Sequence, residues 1–199
     1  SDTALRDESR TDADWSTAEG ALLLPPPAPL TGTLDAATIG RPIAAEVEPS
    51  RAVQMGDMDG DGDLDLVVAN CMAPNKLYLN DGSADPFGAA TGITITADAD
   101  STKAIALGDV DGDGDLDLIA ANGETATKLY LNNGTADPFA GAAAREVAHD
   151  STYTKAVILA DMDNDGDLDL VVANKDHTNK LYLNDGSAEP FHDLSLIHI

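Results

Sequence analysis

The sequence predicts an all-β fold of β-propeller blades: three four-stranded repeats of 52 residues, forming an incomplete ring. Three observations predict it. An acidic segment recurs as GDMDGDGDLDLVVAN (56–70), GDVDGDGDLDLIAAN (108–122) and ADMDNDGDLDLVVAN (160–174). Its first aspartates, Asp57, Asp109 and Asp161, stand 52 residues apart without drift, the mark of a repeat architecture. The flanking segments repeat in the same register: SRAVQMGD, TKAIALGD and TKAVILAD before it, NKLYLNDGSADPF, TKLYLNNGTADPF and NKLYLNDGSAEPF after it.

The elements follow in chain order. Residues 1–38 read as a disordered, Pro-rich linker; the apolar run in ALLLPPPAPL (21–30) is too short for a secretory signal. Residues 39–193 carry the repeats, about 49–100, 101–152 and 153–193. RPIAAEVEPS (41–50) aligns with GITITADADS (92–101) and reads as the outer strand of a blade preceding the first full unit. In that unit the strands are AVQMGD (52–57), DLVVAN (65–70), KLYLN (76–80) and GITITAD (92–98). The acidic loop lies between the first two, and the turn signal NDG ends the third. No stretch within a unit has a helical period. Four strands in about 50 residues is the pattern of a propeller blade. Strands apolar on both faces fit blades packed on each side, and an open solenoid of hairpins is the competing architecture. Three blades are too few for a ring, which uses about four to eight. LSLIHI (194–199) departs from the earlier repeats. It reads either as a divergent outer strand or as a non-native, adaptor-derived tail; the tail reading is preferred, and the segment is set aside from the fold.

The bulk charge narrows the partners. With 36 acidic and 11 basic residues the formal charge is −25, which argues against nucleic acid and anionic membrane surfaces. A single cysteine, Cys71, forbids an intrachain disulfide. No stretch reaches the length of a membrane span.

The acidic loops carry the chemistry. Two carboxylates about 5 Å apart repel by roughly 3 kcal/mol at an effective dielectric of 20. Five in nine positions need a counter-charge. Asp57, Asp59 and Asp61 stand at positions 1, 3 and 5, Gly62 at 6, Asp63 at 7 and Asp65 at 9. Odd-numbered oxygen donors with a glycine at 6 match a loop wrapped around Ca²⁺. The loops hold no His or Cys, which argues against zinc and copper. This is not an EF-hand, since position 12 is Val68, Ala120 or Val172, and the loop closes at Asp65, Asp117 or Asp169. The plain alternative, a solvated acidic turn, would be a costly use of fifteen aspartates.

The DxDxDGxLD loop, the LDLVVAN strand and the LYLNDG hairpin with a downstream Phe (Phe87, Phe139, Phe191) resemble the FG-GAP/VCBS repeats. Those repeats form the blades of the integrin α-subunit propeller and of many secreted microbial and algal proteins. The resemblance covers about residues 49–191 and implies calcium ligands from the side chains at 1, 3, 5 and 9 and the carbonyl at 7. Carried over, these are Asp57, Asp59, Asp61, Asp63 and Asp65; Asp109, Asp111, Asp113, Asp115 and Asp117; and Asp161, Asp163, Asp165, Asp167 and Asp169. Literal Phe-Gly and Gly-Ala-Pro words are absent, which favours the VCBS-like branch. About three Ca²⁺ would move the charge from −25 to about −19.

Other residues have bland readings. His149, His177, His192 and His198 fall at non-equivalent repeat positions and read as surface groups. Tyr78, Tyr130 and Tyr182 read as packing between blades, and Lys76, Lys128 and Lys180 as pairing with acidic neighbours. Cys71 aligns with Gly123 and Lys175 in a variable loop and reads as incidental; Asn133 opens a lone glycosylation sequon. The expected function is a non-catalytic calcium-binding module, extracellular or on the cell surface, for protein or glycan interaction or adhesion. The alternative is the propeller portion of a secreted hydrolase or lyase with its catalytic part elsewhere. Near-interchangeable repeats favour the first, because catalysis needs unlike groups in fixed roles.

Overall fold

The six-residue apolar runs that follow the acidic loops become the second strands of three antiparallel sheets. A computed structural model describes residues 41–148 and 153–191 and the backbone of 197–198. The linker at 1–38 lies outside the described residues. The first sheet is β1 (Ser50–Gly56), β2 (Asp65–Asn70), β3 (Lys76–Tyr78) and β4 (Ile93–Thr94). The second is β5 (Thr102–Gly108), β6 (Asp117–Asn122), β7 (Thr127–Tyr130) and β8 (Arg145–Ala148). The third is β9 (Thr154–Ala160), β10 (Asp169–Asn174), β11 (Lys180–Tyr182) and β12 (Ile197–His198). Within each sheet the strands lie in chain order, and the described residues contain no helix. The all-β, four-strand repeat is as expected; the three sheets do not close a ring.

The strands differ from the sequence reading in extent. β3 stops at Tyr78 because the Asn80 amide turns away to the Asp65 carboxylate at 2.8 Å. β4 is two residues long. Residues 41–49 form no strand, and their register against the next repeat is one residue later than 41–50 on 92–101. Glu46 accepts from the Tyr78 hydroxyl at 2.8 Å, and Asp98 accepts from the Tyr130 hydroxyl at 3.4 Å. Glu48 and Asp100 likewise accept from the Asn70 and Asn122 amides. The backbone of 197–198 takes the fourth-strand position, with Lys180 opposite His198 and Leu181 opposite Ile197.

Alternation along the second strands builds two cores between sheets. Val67 and Ala69 face Leu118 and Ala120, together with Met58, Leu77, Ile95, Ile105, Tyr130 and Phe139. Ile119 and Ala121 face Leu170 and Val172, with Val110, Leu129, Val147, Tyr182 and Phe191. β1 lies against β5, and β5 against β9. Gly56 permits this approach, since a Cβ there would stand 2.7 Å from Leu116 Cδ1; Gly108 does the same for Leu168 at 2.8 Å. The third residue of that series is Ala160. Near the loops a polar contact joins each pair of sheets: Asn132 Nδ2 donates to the Met58 carbonyl at 2.8 Å, and Asn184 Nδ2 to the Val110 carbonyl at 2.7 Å.

The outer faces of this stack lack what the inner ones have. Met58 is 1% exposed under the second sheet, and its counterpart Met162 is 49% exposed. Ile105 is 7% exposed, and its counterpart Val53 is 62% exposed. Met55, Leu64 and Ile158 are exposed beside them. Apolar strand faces of this kind drive association. The isolated chain with Ca²⁺ is expected to self-associate at high concentration despite its charge, and Val53→Lys with Ile158→Lys to reduce the association. Light scattering checks this; a cooperatively melting monomer at high concentration would contradict it.

Candidate metal centres

Each acidic loop is the connection between the first two strands of its sheet, closed by the pairs Gly56–Asp65, Gly108–Asp117 and Ala160–Asp169. The aspartate at position 1 folds the loop around itself. Asp57 Oδ1 accepts from the Gly60 amide at 2.9 Å and Oδ2 from the Gly62 amide at 3.0 Å. Asp109 does the same with Gly112 and Gly114, and Asp161 with Asn164 and Gly166. The bends this requires place positions 4 and 6 at positive φ: 75° and 97° in the first loop, 76° and 98° in the second, 64° and 103° in the third. Glycine adopts that region freely, and Asn164 is one of the few other residues that tolerate it.

The aspartate at position 9 is wholly buried in all three repeats. Each of its oxygens accepts a backbone amide: Met58 and Asn80 on Asp65, both at 2.8 Å; Val110 and Asn132 on Asp117, at 3.0 and 2.8 Å; Met162 and Asn184 on Asp169, at 2.8 and 2.9 Å. Each carboxylate oxygen retains a further lone pair for a cation. Position 7 behaves differently. The Asp63 carboxylate lies beside the hairpin glycine Gly82, 2.5 Å from where a Cβ would stand, and Asp115 and Asp167 lie likewise beside Gly134 and Gly186.

The structure therefore brings together part of the expected set by side chain. Carboxylate oxygens of Asp57, Asp59 and Asp61 lie within 4.8 Å of one another, as do those of Asp109, Asp111 and Asp117, and of Asp161, Asp163 and Asp169. Positions 1 and 3 are common to all three groups; position 5 joins in the first and position 9 in the others. The position-7 carboxylates stand outside, so Asp63, Asp115 and Asp167 would contribute their carbonyls. An all-oxygen set of this kind suits a hard cation, and these three clusters can hold a metal ion.

The electrostatics of the clusters favour a positive partner. Burial pushes the Asp117 carboxyl up to about 7, against the opposing pull of its two amide donors. Burial also raises Asp65, and burial with the neighbouring carboxylates raises Asp111 and Asp163. Each of these shifts favours the neutral carboxyl, and a cation beside it would favour the charged form.

Of the remaining residues, His149, His192 and the side chain of His198 lie outside the described residues, and the others fall mostly where the sequence placed them. Tyr78, Tyr130 and Tyr182 are buried. Lys128 pairs with Asp98 at 3.0 Å and Asp100 at 2.7 Å, whereas Lys76 donates to the Thr94 hydroxyl at 2.9 Å. The exposed His177 Nδ1 lies 3.0 Å from the Lys175 carbonyl oxygen. Asn133 is exposed, and its amide donates to the Asp137 and Ala140 carbonyls across its turn. The inter-sheet role of Asn132 and Asn184 was missed, although the repeated Asn of LYLN was its signal.

Fold and site together define a repeating β-module with one acidic cation cradle per repeat. The family model for the FG-GAP-like repeat matches residues 57–120, 109–172 and 161–198. The chain belongs to that family. Each of the first two matches begins at one acidic loop and ends in the second strand of the following sheet. No curated protein matches the chain.

Two predictions concern these loops. Asp113→Ala should abolish one calcium and loosen mainly the second sheet, and Asp115→Ala should keep the ion. Asp117→Ala should cost at least about 2 kcal/mol, because two buried amides lose their acceptor. Calorimetric titration and melting of the three variants separate these outcomes; Asp115→Ala losing the ion while Asp113→Ala kept it would overturn the assignment by position. Secondly, a proton held at Asp117 competes with the cation, so affinity should rise with pH through about 7. Adding Ca²⁺ at pH 6 should release protons, and at pH 9 should not, as read by titration in buffers of different ionisation enthalpy.

Proposed function

We propose that the chain is a non-catalytic calcium-binding module of an extracellular or cell-surface protein, presenting its sheets for interaction with protein or glycan. The observation that carries this reading is the threefold cradle. In each loop the same backbone amides hold the aspartates at positions 1 and 9, and the carboxylates gather within reach of one ion. The side chains at 1, 3, 5 and 9 and the carbonyl at 7 would hold Ca²⁺, which supplies charge compensation and locks the loop between its strands. The repeated use of like atoms for like tasks favours a scaffold over an enzyme, since a catalytic site needs unlike groups. Extracellular calcium modules work at affinities of about 10⁻⁴–10⁻³ M, which suits that compartment.

Ca²⁺ should raise the thermal midpoint, and more than Mg²⁺ does, because the cradle is rich in oxygen and Ca²⁺ accepts more oxygen ligands than Mg²⁺. Differential scanning calorimetry in EDTA, Mg²⁺ and Ca²⁺ tests it. Equal midpoints in excess EDTA and in millimolar Ca²⁺ would remove the calcium reading.

A further inference from the structure

At the end of the sheets where the inner strands begin, away from the acidic loops, the charge reverses. Arg51, Lys103 and Lys155 are the second residues of β1, β5 and β9, one per repeat. Six residues separate Arg51 from Asp57, about 20 Å of extended chain. The backbone ties neighbouring positions to this end: the Cys71, Gly123 and Lys175 amides donate to the Pro49, Ser101 and Tyr153 carbonyls.

Three ammonium groups converge here on one ring. Lys155 Nζ lies 4.7 Å, Lys103 Nζ 5.3 Å and Lys175 Nζ 5.6 Å from the centre of the Tyr153 ring. Gly123 leaves the space that Lys103 and Tyr153 fill, since a Cβ there would collide with Lys103 Cε. Lys103 Nζ donates to Ser101 Oγ at 2.6 Å, Ser101 Oγ lies 3.2 Å from Cys71 Sγ, and Cys71 Sγ lies 3.9 Å from Arg51 Nη2. These contacts make one strip from Arg51 to Lys175, holding four of the chain's 11 basic residues. Among the described residues its one ion pair is Lys175 with Asp176, at 3.8 Å and well exposed on both sides. Among the described residues these like charges are drawn together with one carboxylate paired to them, and they pose the question that the aspartates pose at the other end, with the sign reversed.

We propose that this strip binds an acidic oligosaccharide, a carbohydrate chain carrying carboxylate or sulfate groups. The inference rests on the reading of the chain as a binding module and names its ligand class and surface. Arg51 offers a planar fork for a carboxylate or sulfate, and the lysines offer point charges. The density of charge selects among anions. Duplex DNA carries one charge per about 1.7 Å, and the chain as a whole, at −25, repels it. Screening over about 8 Å confines the attraction to whatever lies on the strip. Three ammonium groups gathered at one ring with a guanidinium to one side suit a short, flexible polyanion of lower charge density than a duplex.

The test is calorimetric titration of the whole chain in millimolar Ca²⁺ at physiological ionic strength. The probes are an oligogalacturonate, its sulfated counterpart, a neutral oligogalactan of equal length, an oligoaspartate peptide and a single-stranded oligonucleotide. The charged sugars should bind and the neutral one should not. Lys103→Gln with Lys155→Gln should weaken binding by about tenfold or more, while the calcium-dependent melting point stays unchanged. No binding of either charged sugar overturns the inference, as does undiminished binding by the double variant or tighter binding of the peptide or oligonucleotide. The calcium dependence of melting, read in the same samples, reports on the calcium module separately.

Discussion

One buried carboxylate per repeat organises the rest. Asp65, Asp117 and Asp169 sit at the start of their second strands and receive amides from the second loop residue and from the hairpin that ends the third strand. That fixes the loop, the second strand and the hairpin against one another. The hairpin asparagine then extends the connection. Asn132 gives its backbone amide to Asp117 and its side-chain amide to the Met58 carbonyl, while the Met58 amide is held by Asp65. A continuous polar path therefore runs from one loop through an interface to the next, among residues that are otherwise apolar. Burying a charge is costly, and the two amides that each of these carboxylates accepts offset that cost only in part.

This arrangement couples metal and fold in one direction. The apolar strands favour burial of position 9, burial raises the carboxyl at Asp65 and Asp117, and a cation held beside them would restore the charged form that the amide donors prefer. Position 1 shows the complementary half. Asp57, Asp109 and Asp161 each spend both oxygens on loop amides, so the cradle has its shape from hydrogen bonds within the loop. A cation held there would add charge neutralisation to a shape these hydrogen bonds already outline.

Much of this was legible in the sequence, because the repeat supplied three readings of each position. The acidic loop, the DLVVAN strands and the strand count came directly from pattern and spacing. What failed to show was set by tertiary partners. Residues 41–49 have strand-like composition yet form none, and their register follows Glu46 and Glu48 as acceptors for Tyr78 and Asn70. β4 is shorter than its Thr–Ile alternation suggests because pairing with β3 is confined to Leu77 and Lys76. Position 7 was set apart in the sequence as a carbonyl donor, but the place of its side chain was not legible: the Asp63 carboxylate lies beside the turn glycine Gly82 of the following hairpin. Position 4 escaped notice because Asn164 breaks the glycine pattern while keeping the left-handed backbone that matters.

Bulk charge was the least faithful guide. A total of −25 describes the surface as one body, but the inner strands separate the signs along their length. Each begins next to a cation, at Arg51, Lys103 or Lys155, and each ends at an aspartate loop. Because the strands of successive sheets lie side by side, the same separation is repeated in register and does not cancel. Screening over about 8 Å is shorter than the roughly 20 Å between the ends, so each end presents its own sign to a ligand. The period of 52 thus does two things in this chain: it multiplies cation cradles at one end, and it lines up basic side chains at the other.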